Sequence, residues 1–117
     1  MNQFNVVGRV TRDVQVRRTG NDKAYVFLTI AVDGYWDKKQ KKTVSDFIPV
    51  TIWGKEAEKC KSLMKGSLVC IKGRISIGNF TDKQTGKEKY TTDLVGETVQ
   101  FLAKPKASQN EGEKRYA

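Results

Sequence analysis

Apolar and polar positions alternate along most of this chain, and one segment interrupts the period. Residues 4–16, FNVVGRVTRDVQV, and residues 24–32, AYVFLTIAV, are rich in β-branched and aromatic side chains, the composition of strands. Between them RRTGNDK carries Gly20 and Asn21, residues that accept the backbone angles of a tight turn, so the two runs predict a hairpin. A lysine-rich loop follows, and then residues 44–53, VSDFIPVTIW, alternate again. Ile48, Val50 and Ile52 fall on one face; Phe47, Pro49, Thr51 and Trp53 fall on the other, and only one of those faces belongs to a core. Pro49 has no N–H to give a ladder, which predicts an edge or a bulge at that point.

The period then lengthens. In KEAEKCKSLMKG, residues 55–66, Ala57, Cys60, Leu63 and Met64 recur at helical spacing, with Gly66 where a helix C-cap glycine is expected. Strand patterns return in SLVCIKGRISIGNF (67–80) and YTTDLVGETVQFL (90–102), joined by a polar hairpin in which Gly86 of KQTGKE supplies a positive φ. Apolar patterning stops at residue 103, so the reading is one folded domain over 1–103 and a disordered polar tail over 104–117. The elements therefore run three strands, one helix, two strands. That is the order of an all-β OB-fold, a five-stranded Greek-key barrel with its helix between strands 3 and 4, here with a long hairpin between strands 4 and 5. The fold by itself assigns no function, but it directs attention to strand residues pointing away from the core.

Charge narrows the partner. In 117 residues, 22 Lys and Arg stand against 13 Asp and Glu, a formal charge of +9, which suits a polyanion; dense nucleic-acid phosphates reward many cationic contacts through counterion release. There is no histidine, and the two cysteines, Cys60 and Cys70, lack CxxC spacing, so a zinc site and a histidine base are excluded; no metal and no cofactor are expected. Both thiols read as reduced and structural. The acids Asp33, Asp37, Asp46, Glu56 and Glu58 are scattered and fit no catalytic arrangement, so the expectation is a binding protein and not an enzyme. The chain has neither a signal-peptide pattern nor an apolar run of transmembrane length, which predicts a cytoplasmic protein without membrane contact.

The outward strand positions carry aromatic rings where a plain surface would carry charge. Phe47 and Trp53 oppose the apolar set of the third strand, and Phe27 alternates against Val26, Leu28 and Ile30 on the second. Lys72 and Arg74 oppose Val69 and Ile71 on the fourth. Rings interleaved with cations are what unpaired nucleic acid requires, since each exposed base gains about 1–3 kcal/mol by stacking. The polar hairpin adds Phe80 near its base and Lys83, Lys87 and Lys89 along its length, a basic arm beside the aromatic face; Arg9 and Lys55 complete the candidate phosphate-binding set. The competing structural reading places Phe27, Phe47 and Trp53 in a second core or a subunit interface and makes the lysine-rich hairpin an ordinary solvated turn. A primosome-like OB adaptor and a single-stranded RNA-binding protein are the alternative functions.

The segments NVVGRVTRDVQVR, FLTIAV, FIPVTIWGKEAE, KGSLVCIKGRI and FTDKQTGKEKYTTDLV, in this order over about residues 3–102, resemble the bacterial single-stranded DNA-binding proteins of the homotetrameric OB-fold class. The resemblance implies non-sequence-specific binding and protection of single-stranded DNA in replication, recombination or repair, a nucleoid-associated homotetramer, and base stacking at Trp36, Phe47, Trp53 and Phe80. Trp36 comes from the resemblance alone, because periodicity makes it a loop aromatic. Departures from the family pattern are Phe47 and Phe80 where tryptophan is frequent, Cys70 where an aromatic is frequent, and Ile48 and Pro49 where polar or basic residues are common. Family members typically end in an acidic, apolar-tipped peptide that recruits repair and replication proteins, whereas this sequence ends EGEKRYA; reduced recruitment is the expectation.

Overall fold

A computed structural model describes residues 1–105. Its strands are β1 (Phe4–Val10), β2 (Arg17–Arg18), β3 (Ala24–Asp37), β4 (Lys42–Trp53), β5 (Leu68–Thr81) and β6 (Glu88–Ala103), with a short helix α1 (Gly54–Lys59) between β4 and β5. The sheet runs β1-β5-β6-β4-β3-β2, and a second pairing of β1 with β3 closes it into a barrel of five strands. All ladders are antiparallel except β4 with β6, which pair in parallel at Thr51 with Val95 and Ile52 with Gly96. This is the OB-fold architecture that the element order predicts.

Alternation decides what fills the barrel. Val26, Leu28 and Ile30 of β3, Val50 and Ile52 of β4, and Val69 and Ile71 of β5 are buried, joined by Val10, Val99, Ala57 of α1 and Cys60 just after it. Burying such side chains supplies the main drive to fold, about 1.5–3 kcal/mol for each large one. Pro49 stands opposite Thr29 of β3 and precedes the two positions at which β4 meets β6, so on its β6 side the strand is still an edge at that point, as expected of a residue with no N–H to give.

Three local expectations are corrected. The first strand is not continuous over residues 4–16: β1 pairs with β3 at Arg9–Ala31 and Val10–Ile30, and the chain resumes pairing only at Arg17–Tyr25 and Arg18–Ala24. Six residues, 11–16, thus face four, 26–29, and the excess bows out. Polar side chains hold the bow, for Asp13 Oδ1 accepts the Lys65 N–H at 2.8 Å and Thr11 Oγ1 donates to the Thr29 carbonyl at 2.9 Å. The tight turn consequently covers Thr19 to Lys23.

The helix is also shorter than its spacing suggests. After Lys59 the chain tightens into a 3₁₀ turn, Cys60–Ser62, and Leu63 is already extended, so Leu63 stays buried while Met64 turns to solvent. Gly66, at φ 92°, is no helix cap. It sits in a reverse turn closed by the Ser67 N–H donating to the Met64 carbonyl at 3.0 Å, a position where φ above zero favours glycine. Glu56 anchors the short helix instead: its Oε1 accepts the Val99 N–H of β6 at 3.0 Å and its Oε2 pairs with Lys59 at 3.1 Å.

The third correction concerns the lysine-rich loop. β3 and β4 continue as a hairpin well past Val32, with partners out to Asp37 and Lys42, leaving only residues 38–41 as the turn. Asp37 Oδ1 caps that turn by accepting the N–H groups of Lys39 and Gln40. Trp36 therefore lies on a strand. The expectation of a disordered tail falls, from residue 106 onward, outside the described residues.

Candidate nucleic-acid interface

Ladder register shows which outward side chains share a surface. On β3 and β4 the partners Tyr25–Trp53, Phe27–Thr51, Thr29–Pro49 and Ala31–Phe47 all point away from the barrel, opposite the buried Val26, Leu28, Val50 and Ile52. A register shift lies between Asp33 and Tyr35, after which Trp36 faces Thr43. Strict alternation would turn Trp36 from the side of Phe27; the extra residue restores it to the side of Thr43, Phe47 and Trp53. Gly34 makes the shift sterically feasible, because a Cβ there would stand 2.5 Å from the Val44 carbonyl oxygen.

The same surface continues across the barrel. Thr51 pairs with Val95 and Val95 with Arg74, so one row runs Phe27, Thr51, Val95, Arg74. Beyond that row β5 and β6 form the long hairpin, where Arg74, Ser76 and Phe80 share a face with Asp93, Thr91 and Lys89. Since β4 and β6 meet at only two positions, they diverge before Thr51 and leave a groove of about 330 Å³ lined by Phe27, Thr29, Pro49, Thr51, Thr92 and Asp93. An aromatic strip thus flanks a groove with the basic hairpin on its far side.

The five predicted rings are all accessible: Trp53 is 38% exposed, Phe80 51%, Trp36 57%, Phe47 64% and Phe27 65%. None is core within the chain. Trp53 is the most covered, since Tyr25 packs against it at 5.3 Å between ring centroids and the Lys23 ammonium lies 5.0 Å above it. Tyr25 also meets Phe27 edge-on at 5.3 Å. Tyr25 and Lys23 are members of the strip that the sequence reading did not name. The alternation that selects Phe27 selects Tyr25 equally, whereas Lys23 has no signal short of the fold.

The predicted cations divide into two groups. Lys55, Lys72, Lys83 and Lys87 are exposed and make no ion pair among the described residues. Lys89 pairs with Asp82 at 3.0 Å and Arg74 with Glu97 at 3.6 Å, both at the surface, where such pairs are weak enough to exchange for phosphate. Backbone donation by Gln84, with help from Lys89, holds the Asp82 carboxyl below its usual range, so the hairpin tip keeps its acid charged and its turn ordered. Arg9 donates to the Gly66 carbonyl at 2.7 Å and braces the turn before β5. Lys72 pairs across to Asn5 of β1, off the row that carries Phe27 and Arg74.

The two thiols are free. Cys60 is fully buried and donates to the Glu56 carbonyl at 3.2 Å; burial, with the Glu56 charge nearby, pushes its pKa up to about 11, so it stays a protonated core thiol.

The single-strand binding protein family model matches residues 1–102. The chain belongs to that family. Among curated proteins it is 39% identical over 104 residues to single-stranded DNA-binding protein 3 of Clostridium acetobutylicum, covering 87% of this chain and 71% of that one. It is 41% identical over 106 residues to single-stranded DNA-binding protein 1 of the same organism, covering 87% and 94% respectively. With the single-stranded DNA-binding protein of Halalkalibacterium halodurans it shares 37% identity over 113 residues, 96% of this chain and 66% of that relative.

Proposed function

We propose that this chain binds single-stranded DNA without sequence preference, by stacking bases on the outward rings of β3, β4 and the β5–β6 hairpin while lysines hold the phosphates. The observation that carries the reading is the aromatic strip itself: Trp36, Phe47, Trp53 and Phe27 on one surface of a single ladder, 38–65% exposed, with Phe80 further out, near the tip of the β5–β6 hairpin. Large apolar rings left partly in water offer π-faces that unpaired bases can cover. Lys55, Lys83 and Lys87, without an ion pair among the described residues, provide charge for phosphates, and Lys89 and Arg74 exchange surface partners for them. The role that follows is protection of strands exposed in replication, recombination or repair.

Self-association completes the reading as a homotetramer. β1 pairs with β5 from Phe4 to Arg9 but with β3 only at Arg9 and Val10, so most of its other edge is open to a second copy. The hairpin face opposite Phe80 exposes Ile75, Ile77 and Tyr90, apolar surface of the kind subunits bury.

Titration with matched single-stranded DNA, single-stranded RNA and duplex DNA at one stated salt concentration tests the function. The expected result is strong binding to oligo(dT) with quenching of Trp36 and Trp53 fluorescence, and much weaker duplex binding. Equal affinity for duplex, or saturation without quenching, would remove the stacking surface; preference for RNA would move the substrate class.

A further inference from the structure

Lys23 covers the ring on which a base is to stack. Its ammonium lies 5.0 Å from the Trp53 ring centroid, within the range of a cation–π contact. The position is built and not incidental. Lys23 closes the turn after β2: its carbonyl accepts the Thr19 N–H at 3.0 Å and its own N–H donates to Thr19 Oγ1 at 3.1 Å. Asp22 before it takes a φ of 61°. Arg18, at the start of that turn, pairs with Glu58 of α1 at 2.8 Å, and α1 begins at the residue after Trp53. The turn and the ring are thus tied to the same helix. Lys23 makes no ion pair among the described residues, so the aromatic ring is its partner in the free protein.

We infer that Lys23 is an exchange residue for single-stranded nucleic acid: it caps Trp53 in the unliganded protein, yields the ring to an incoming base, and transfers its charge to the phosphate beside that base. The inference rests on the stacking role of Trp53 proposed above. It has a thermodynamic signature that neither a simple cap nor a simple phosphate contact shares. The attraction to phosphate fades as salt rises, at about 0.7 in the slope of log affinity against log salt for each single-strand phosphate neutralised. The cost of vacating the ring is short-range and persists. A cation–π contact at an exposed site corresponds to about a two- to fivefold effect on affinity.

Lys23→Ala is therefore expected to bind oligo(dT) more weakly than the parent chain at low salt and about two- to fivefold more tightly at high salt, with the two curves crossing and the slope shallower by about 0.7. Lys23→Arg, which keeps both a cation and a planar group for the ring, should restore the parent behaviour. Weaker binding at every salt would leave only a phosphate contact, tighter binding at every salt only a cap, and superimposed curves neither; each overturns the exchange. A readout without nucleic acid separates this from the function itself. In a Trp36→Phe background, where Trp53 is the sole tryptophan, Lys23→Ala should raise acrylamide quenching of Trp53, and unchanged quenching would overturn the cap. A chain that shows the raised quenching but binds no oligo(dT) at any salt would refute the DNA-binding reading, and the exchange with it, while the cap stood.

Discussion

Ile52 and Trp53 are neighbours in sequence with opposite roles, one fully buried and the other 38% exposed. Ile52→Ala leaves a cavity in a barrel that cannot fully collapse, at an expected cost of about 2–5 kcal/mol in chemical denaturation. Trp53→Ala and Phe80→Ala should each leave stability nearly intact and weaken single-strand binding by about 1–3 kcal/mol, the loss of one stacked base. If Trp53→Ala instead carries the cavity-sized penalty, that ring is structural. Glu56 gives a residue-scale pH dependence. Donation from the Val99 N–H, reinforced by Lys59, lowers its pKa in the folded chain, so the folded state favours the charged form. Its contribution is complete above the ordinary glutamate range and is lost as pH falls through the lowered folded-state value. Glu56→Gln should flatten the stability profile in that acid window, and a profile unchanged by the substitution would contradict the assigned anchor.

At the scale of elements, the β3–β4 hairpin determines where the rings point, and its register shift places Trp36. Gly34→Ala tests this. An alanine in a strand normally gains stability by restricting the unfolded chain, but here its Cβ would meet the Val44 carbonyl oxygen at 2.5 Å. The expected outcome is a loss of about 1–3 kcal/mol, with Trp36 quenching by oligo(dT) diminished; a gain in stability would show that the close approach relaxes freely. The hairpin also shows how far sequence carries. Alternation identifies Ile48, Val50 and Ile52 as core and Phe27, Phe47 and Trp53 as surface because a strand period of two is a property of the backbone alone. It fails at Trp36, because a one-residue shift reverses parity and is set by contacts across the ladder. It fails likewise at Met64, where the helix gives way to a 3₁₀ turn, and over residues 11–16, where Asp13 and Thr11 bond outside the strand pairing. Lys23 and Trp53 are far apart in the chain, and only the closed fold brings them together.

For the molecule as a whole, charge and surface set the remaining behaviour. Residues 104–117 carry Lys104, Lys106, Lys114 and Arg115 against Glu111 and Glu113. Removing them should weaken oligo(dT) binding and make its salt dependence shallower, by about 0.7 in slope for each phosphate no longer neutralised; tighter binding after removal would mean that the segment competes with DNA. Light scattering at tens of micromolar should report a tetramer, and a monomer there would leave the β1 edge and the Ile75–Ile77 surface without a partner while sparing the stacking face. That face is most directly tested by photocrosslinking a 5-bromouracil-substituted single strand to the intact protein and mapping the attached peptides. Crosslinks are expected at Trp36, Phe47, Trp53 and Phe80, on β3, β4 and the β5–β6 hairpin. Crosslinks confined to β1 or to the bowed segment 11–16, with those four rings unmodified, would contradict the account.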